Sequence, residues 1–312
     1  MTHLDAPAKL SPLALLGAAI GCGAPDEHCA DAPFALRDGG LAETLTAAGL
    51  PAAWHAVHLA PKRSEGVDPL AAVGDLARRL ADDSAALTQQ GRRFVSFGGD
   101  HTAAIGLWSG AARGLRQTAG AQSRCGLIWV DAHMDAHTFA TTQIRMIHGM
   151  PVACLLGHGE PRLTTLAGAA PAVAPENLCL IGTRSFEAGE AALLAQLGVR
   201  IITMEEVRRI GFAAALTEAR AIAGMNTAGY GLSLDVDAFD PREAPGTGYW
   251  EPDGLHADNV AAGLRQLVGD QRFVGLEVAE YNPHKDTDGR TARIIERMPQ
   301  AAFRAYEAHE ER

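Results

Sequence analysis

Two aspartates and a histidine alternate in one short stretch of the chain, directly after an apolar run. Residues 127–130 read Leu-Ile-Trp-Val, and Asp131, His133 and Asp135 follow with one residue between each pair. The apolar run is typical of a buried strand, and in an extended chain alternate side chains share a face. Open α/β sheets bind ligands beyond the carboxyl ends of their strands. We therefore predict a metal site here, with helix capping by either aspartate as the alternative.

A second apolar stretch ends in the same way. Residues 231–234 lead into Asp235 and Asp237, which are again one residue apart and, in an extended chain, on one face. An Asp-x-Asp pair can also begin an EF-hand loop, but the fifth and twelfth loop positions would be Phe239 and Gly246, which excludes that kind of calcium site. The second pair of carboxylates therefore favours the metal interpretation of the first cluster.

A histidine follows a third predicted strand. His101 comes just after Gly98 and Gly99, whose missing side chains let the backbone approach something bulky. Taken alone, this short motif is equally consistent with a histidine that faces solvent. Together with the other two clusters, it completes a set of four aspartates and two histidines at three strand ends.

The charge of this set predicts the number and kind of its ions. Burying four carboxylates in one crevice without cations would cost too much in desolvation and mutual repulsion, and two divalent ions would balance them. Carboxylate and imidazole ligands without thiolate suit manganese, while zinc, cobalt, nickel and iron stay open. Two metals about 4 Å apart would share a water and lower its pKa, so we predict hydrolysis.

Composition narrows the class of protein. The 312-residue chain has 27 Lys and Arg against 37 Asp and Glu, a net charge of −10, which argues against a nucleic-acid partner and favours metal ions or a small cationic substrate. Five scattered cysteines without a Cys-x-x-Cys pair suggest neither a disulfide framework nor structural zinc, and fit the cytoplasm. Residues 13–20 lack a basic lead, so we expect a strand there and not a signal peptide. We expect no transmembrane helix and no membrane partner.

The predicted elements alternate along the chain. Strands are predicted at residues 13–20, 54–59, 94–97, 127–130, 178–182, 200–203, 230–234 and 273–278. Helices are predicted within 33–49, over 68–90, from about 102 through 108, around 187–197 and over 205–223, and residues 301–312 look like a polar helix or a frayed tail. This alternation predicts an α/β fold with a mostly parallel sheet and helices on both faces. No linker divides it, so we predict one domain over residues 1–312.

The three metal motifs and two further segments resemble the ureohydrolase superfamily, which contains arginase, agmatinase and guanidinobutyrase. The matching segments are 98–101, 131–135, 148–151, 233–241 and 277–283, in the order in which the family has them. The resemblance implies a three-layer α/β/α fold and two Mn²⁺ ions per chain. It implies that one ion is held by His101, Asp131, Asp135 and Asp235, and the other by Asp131, His133, Asp235 and Asp237.

The resemblance also implies catalytic roles. Glu280 matches the acid that pairs with the guanidinium of the substrate, and a carboxylate suits that planar cation. His148 matches a histidine that moves protons to and from solvent, and Asp135 would pass a proton to the departing amine. A metal-activated hydroxide would attack the guanidinium carbon, and urea and an amine would be the products. The alternatives are that Glu280 is a solvated glutamate at a strand end and that His148 is a loop histidine that only packs.

The substrate is less tightly specified than the reaction. The segment 148–151 is similar to the arginase-like branch, which makes arginine the leading substrate, with guanidinobutyrase or agmatinase specificity as alternatives. His137 and the triplet 144–146 replace residues that arginases use for the substrate carboxylate, and Glu187 replaces an aspartate near its amino group. Arg145 would pair with the carboxylate of a guanidino acid or else be a solvated loop residue. Tyr249 and Trp250 would wall the entrance or simply pack.

Two other classes of function stay open at this point. One is a metal-dependent deacetylase, which shares the fold and an Asp-x-His motif but normally uses one ion, whereas His101 and Asp237 favour two. The other is a catalytically silent metal-binding protein, against which the full ligand set, His148 and Glu280 argue. Family resemblance also implies a homo-oligomer, either a trimer or a hexamer.

Overall fold

The computed structural model describes residues 12–303. Predictions that fall before residue 12 or after residue 303, including most of the C-terminal tail, lie outside this range. Eight strands are present: β1 (Leu13–Ala19), β2 (Ala52–Leu59), β3 (Phe94–Gly98), β4 (Cys125–Val130), β5 (Val173–Thr183), β6 (Arg200–Thr203), β7 (Gly229–Asp235) and β8 (Phe273–Ala279). They form one sheet in the order β2-β1-β3-β8-β7-β4-β5-β6, and every neighbouring pair is parallel. The mostly parallel sheet predicted from the sequence is confirmed.

Helices connect the strands. They are α1 (Ala32–Asp38), α2 (Leu41–Ala47), α3 (Pro69–Gln89), α4 (Ala103–Ala119), α5 (Pro151–Leu155), α6 (Pro161–Thr164), α7 (Ala188–Leu197), α8 (Met204–Ile210), α9 (Phe212–Gly224), α10 (Ala257–Leu264) and α11 (Arg290–Phe303). The predicted helices over 68–90 and 187–197 are confirmed as α3 and α7. None of the helices in the described range is long and apolar enough to cross a membrane.

Helices cover the sheet on both faces because its strands are apolar on both faces. In β4, Ile128 and Val130 point into a core that includes residues of α1, α2 and α8 to α11. Leu127 and Trp129 point the other way, into a second core with residues of α4, α5 and α7. The central strands are therefore buried between two helical layers, which confirms the three-layer α/β/α prediction.

Glycines divide two segments that the sequence analysis treated as single helices. The predicted helix within 33–49 is α1 followed by α2, with Gly40 between them at φ 81°. The predicted helix over 205–223 is α8 followed by α9, separated by Gly211 at φ 84°. Both glycines adopt a positive φ that other residues rarely adopt. Helix α10 was not predicted from the sequence, and of α11 only residues 301–303 were predicted.

Candidate metal centre and active-site cavity

Four neighbouring strands of the sheet deliver the candidate site. β3, β8, β7 and β4 lie side by side, and all of them run in the same direction. His101 follows β3, Glu280 follows β8, Asp235 ends β7 and Asp131 follows β4. Parallel strands end at one edge of a sheet, which is where such folds bind ligands. The side chains that the sequence placed at three strand ends therefore meet at one edge, together with Glu280.

The chain beyond β4 and β7 is not extended, so the simple alternation expected from the sequence is wrong there. β4 ends at Val130, and a short 3-10 turn from Val236 to Ala238 follows β7. In each case the side chain of the first aspartate accepts a hydrogen bond from the backbone N–H of the residue two positions later. Asp131 Oδ1 accepts from His133 N at 2.7 Å, and Asp235 Oδ1 accepts from Asp237 N at 2.8 Å. These local turns, and not a shared strand face, bring the alternating side chains together.

One group of potential ligands surrounds the buried His101 ring. Its Nδ1 lies 2.9 Å from Asp235 Oδ2, 3.1 Å from Asp135 Oδ2 and 3.4 Å from Asp131 Oδ2. The atom nevertheless has no partner with hydrogen-bond geometry. Gly99 supports this position, because a Cβ there would overlap the carbonyl of Ile20. A buried nitrogen without a hydrogen bond, among carboxylates, is the arrangement that a bound cation would complete.

A second group shares Asp131 with the first. His133 Nδ1 lies 3.1 Å from Asp237 Oδ2 and 3.5 Å from Asp131 Oδ1. Two overlapping sets of three residues, one with His101 and Asp135 and one with His133 and Asp237, each offer ligand atoms within 4.8 Å of one another, and Asp131 belongs to both. The donors are oxygens and imidazole nitrogens only, which suits a divalent ion such as manganese. The residues present therefore fit a metal.

A buried chain of hydrogen bonds fixes the His101 ring. His101 Nε2 lies 2.9 Å from Ser233 Oγ, and the Ser233 hydroxyl donates to Glu277 Oε2 at 2.7 Å. Trp108 Nε1 donates to the same oxygen at 2.8 Å. Because the single hydroxyl proton of Ser233 is used, Ser233 accepts from Nε2–H, and Nδ1 keeps its lone pair. Such outer partners orient metal-binding histidines. The sequence signal for these hydrogen bonds was the presence of polar residues, Ser233 and Glu277, within otherwise apolar strands.

Burial and mutual repulsion dominate the electrostatics of the acidic cluster. Burial raises the pKa of Asp235 well above its usual range, and the neighbouring charges of Asp237 and Asp131 add to this. Burial together with the Asp131 charge raises the pKa of Asp135 to about 7. Burial opposes a charged His101 imidazole, but the close negative charges of the surrounding aspartates raise its pKa overall. This crowding of acidic groups is what bound cations would relieve.

Glu280 and His148 form a pair beside the acidic cluster. His148 Nδ1 lies 3.0 Å from Glu280 Oε1, which also accepts the backbone N–H of His101 at 3.0 Å. Burial opposes ionisation of Glu280, but the His148 hydrogen bond and charge lower its pKa overall. Glu280 stands at a left-handed φ of 63°, a strained conformation that is common at functional sites. The buried carboxylate is thus held as an anion facing the metal-ligand cluster.

A cavity of about 270 Å³ opens over this cluster. Its lining includes most of the predicted site residues, namely His133, Asp135, His137, His148, Glu187, Asp235, Asp237 and Glu280. His101 and Asp131 are buried behind that lining, each with 1% of its side chain exposed. A cleft with convergent polar groups is the usual form of an active site.

The lining also includes residues without a definite role in the sequence analysis, among them Glu190, Glu251 and Tyr249. Glu190 is buried, accepts the backbone N–H groups of Ala136 and Glu187, and lies 3.3 Å from His137 Nε2. Glu251 lies 3.5 Å from His133 Nε2. Tyr249, which the sequence analysis left undecided, also lines the cavity. The signal for Glu190 was present, because Glu187 and Glu190 are spaced as a capping box at the start of α7.

Arg145 is the predicted substrate residue that the structure does not bring to the cavity. It is exposed at φ 56°, its guanidinium lies 5.0 Å from the centre of the Phe139 ring, and it is absent from the cavity lining. Its flanking residues Ile144 and Met146 line the cavity instead. Trp250 also lies outside the lining, and its indole N–H donates to the Pro245 carbonyl. A contact of Arg145 with substrate therefore stays a prediction.

The fold and the site together define a class of protein, a metal-dependent hydrolase of the α/β/α type. Comparison with known proteins is more specific, because the family model described as "Arginase family" matches residues 11–303. The arginase of Bacillus caldovelox is 37% identical over 225 residues, covering 72% of this chain and 73% of that protein. The arginase of Agrobacterium fabrum is 31% identical over 306 residues, covering 95% of this chain and 91% of that protein. The chain belongs to the arginase family.

Solved structures agree with this assignment. A crystal structure of arginase from Bacillus subtilis superposes with a TM-score of 0.85 at 28% identity, covering 93% of this chain and 98% of that one. The structure of Bacillus caldovelox arginase gives a TM-score of 0.83 at 32% identity, covering 94% and 98%. The chain is therefore an amidinohydrolase, a hydrolase acting on carbon–nitrogen bonds of guanidino groups, and the resemblance seen in the sequence is confirmed.

Proposed function

We propose that this protein uses two Mn²⁺ ions to hydrolyse a small cationic guanidino compound to urea and an amine. The observation that carries the proposal is the pair of ligand groups that share Asp131. His101, Asp135 and Asp235 would complete one ion site with Asp131, and His133, Asp237 and Asp235 would complete the other. Asp131 and Asp235 would then bridge the ions. Four carboxylates balance two divalent charges, and the ligands contain no thiolate.

The chain's own residues would bind the substrate and move its protons. When bound, the ions act as Lewis acids and make water a stronger nucleophile. Glu280 accepts hydrogen bonds from the guanidinium and holds its carbon over the ligand cluster. Water adds to that carbon, the bond from carbon to the alkylated nitrogen breaks, and the amine leaves after taking a proton by way of Asp135. His148, at 15% side-chain exposure, exchanges protons between the cavity and solvent.

Arginine is the leading substrate, because the bacterial relatives at 31 to 37% identity are named arginases. Glu187 and Glu190 form an acidic wall of the cavity beside His137, and this wall suits an ammonium group on the substrate. We propose that these residues contact the end of the substrate away from the guanidinium.

A second candidate is a guanidino amine such as agmatine, which has no carboxylate. None of the described residues that line the cavity is Lys, Arg, Asn or Gln, so a substrate carboxylate would find only hydroxyl, imidazole and backbone donors there. Ile144 and Phe186 on the lining are 60% and 51% exposed, so the rim is apolar. A guanidino acid would depend on Arg145, which lies outside the lining.

The remaining predictions concern the setting of the enzyme. We propose that residues 1–312 form a single domain, that the protein works in the cytoplasm and that it assembles as a trimer or hexamer. We also propose that neither nucleic acid nor a membrane is a partner. The acidic charge of −10 supports the absence of a nucleic-acid partner.

A substrate panel on manganese-reconstituted protein tests the proposal. Urea release would be measured from arginine, agmatine, 4-guanidinobutyrate, 3-guanidinopropionate and guanidine, together with bound metal per chain. We expect two ions per chain and the highest kcat/KM for arginine, with agmatine as the second candidate. The proposal would be refuted if none of the five compounds released urea. One ion per chain with deacetylation of an acyl-lysine would support the deacetylase alternative instead.

A further inference from the structure

We infer that Tyr249 is a positioning residue for His148, holding the imidazole in the orientation in which it exchanges protons with the cavity. This inference rests on the proposed role of His148. The two rings lie 5.7 Å apart, centre to centre, with 20° between their planes, and Tyr249 also lies edge-on to His133 at 6.2 Å. Offset stacking at such distances is a favourable aromatic arrangement.

The hydrogen bond to Glu280 alone leaves the His148 ring incompletely held. It fixes one atom, Nδ1, and it does so through an oxygen that also accepts the His101 N–H. Substrate binding would compete for the same carboxylate, because Glu280 is the proposed guanidinium partner. A stacked ring restricts rotation of the imidazole without competing for that carboxylate. Tyr249 is the aromatic side chain of the described residues that stacks on this imidazole.

The loop that carries Tyr249 is fastened on both sides of it. Before Tyr249, Lys285 Nζ donates to the Gly248 carbonyl at 2.9 Å, and Gly248 itself lies against Glu280. After Tyr249, Arg184 donates to the Glu251 carbonyl at 2.7 Å and to the Pro252 carbonyl at 3.1 Å. Both anchors are charged donors to backbone oxygens, which are the stronger kind of hydrogen bond. The loop therefore presents the Tyr249 ring at a fixed place over His148.

A double-mutant cycle with His148 separates positioning from general damage to the site. Tyr249→Ala should lower kcat for urea release by about 2- to 10-fold, the range that an aromatic pair contributes. KM should change little, and Tyr249→Phe, which keeps the ring, should recover most of the lost rate. In a His148→Ala background, Tyr249→Ala should cause no further loss, since the residue acts through His148. An equal loss in both backgrounds would overturn the inference.

Two further measurements keep the result interpretable. Bound manganese should be the same in Tyr249→Ala as in the wild type, and a fall in bound metal would instead assign the effect to His133. In metal-free protein, diethyl pyrocarbonate should modify His148 faster in Tyr249→Ala than in wild type or Tyr249→Phe, as followed by mass spectrometry. Equal rates in all three would overturn the inference. If the wild type releases no urea, the proposed function fails, and this modification experiment still tests Tyr249.

Discussion

His148 Nδ1 lies 3.0 Å from Oε1 of Glu280, and this contact joins the residue proposed to transfer protons to the residue proposed to bind the substrate. Glu280 would hold the guanidinium, and His148 would carry protons. The same Glu280 oxygen accepts the backbone N–H of His101, so the pair is also tied to the metal-ligand cluster. A change at either residue should therefore affect both substrate binding and proton transfer.

Glu280→Gln should lower kcat/KM by on the order of 10²-fold, because an amide keeps the shape but loses the charge-assisted hydrogen bonds to the guanidinium. Steady-state urea release checks this, with bound metal measured in parallel and expected to be unchanged. Glu205→Gln, at an exposed position at the start of α8, is the matched control and should behave as wild type. Unchanged kinetics in Glu280→Gln would remove Glu280 from the proposed role.

The stability of the metal-free protein should depend on pH through the same pair. Burial lowers the pKa of His148, but hydrogen bonding and charge from Glu280 raise it overall. A raised folded-state pKa contributes stability that is present below the unfolded pKa and is lost as pH rises through the folded pKa. The lowered Glu280 pKa contributes stability that is lost only as pH falls through its folded pKa.

His148→Gln should therefore reduce the free energy of unfolding more at about pH 6 than at about pH 9. Denaturant titrations of metal-free wild type and variant at both pH values provide the measurement. A larger loss at the higher pH would contradict the assigned direction of the His148 pKa.

Asp131→Ala should abolish metal retention and activity together, because Asp131 belongs to both ligand groups. His101→Asn should be milder, since His101 belongs to one group only, and it should retain one of the two proposed ions. Metal analysis after gel filtration, with urea release on the same samples, distinguishes the two outcomes. Two tightly bound ions in Asp131→Ala would refute the bridging assignment.

Ser233→Ala should weaken metal binding by about 10- to 100-fold, because it removes the hydroxyl that fixes His101 Nε2. Ser96→Ala on β3 is a matched control: Ser96 is also fully buried on a central strand, but its hydroxyl has no hydrogen-bond partner. Competition with a chelator measures the metal affinity of both variants. Equal affinities for the two would show that the hydrogen-bond chain does not orient His101.

The sequence predicted the sheet and the place of the ligands because both depend on local patterns. Apolar runs such as residues 127–130 identify buried strands, and carboxylates that follow them must meet at one edge of a parallel sheet. The ligand atoms were found close together even though the backbone at Asp131 and Asp235 turns instead of extending. The prediction of proximity was right for a partly wrong reason.

Other features depend on contacts that are distant in sequence, and a single sequence shows them poorly. Glu277 and Ser233 are 44 residues apart, yet they form one chain behind His101. Arg145 has the charge that a substrate carboxylate would need, but its loop places it on Phe139 and away from the cavity. The helix break at Gly211 depends on a positive backbone φ. Glycine permits this angle but does not require it, so the residue type alone does not predict the break.

The most direct test of the proposed hydrolysis is the fate of the guanidino carbon. Arginine and agmatine labelled with ¹³C at that carbon would be incubated with manganese-loaded protein and followed by NMR. We expect the label to appear in urea, with one amine formed per urea, and Asp131→Ala protein to produce neither. Fully metal-loaded wild-type protein that leaves the label in both substrates would contradict it.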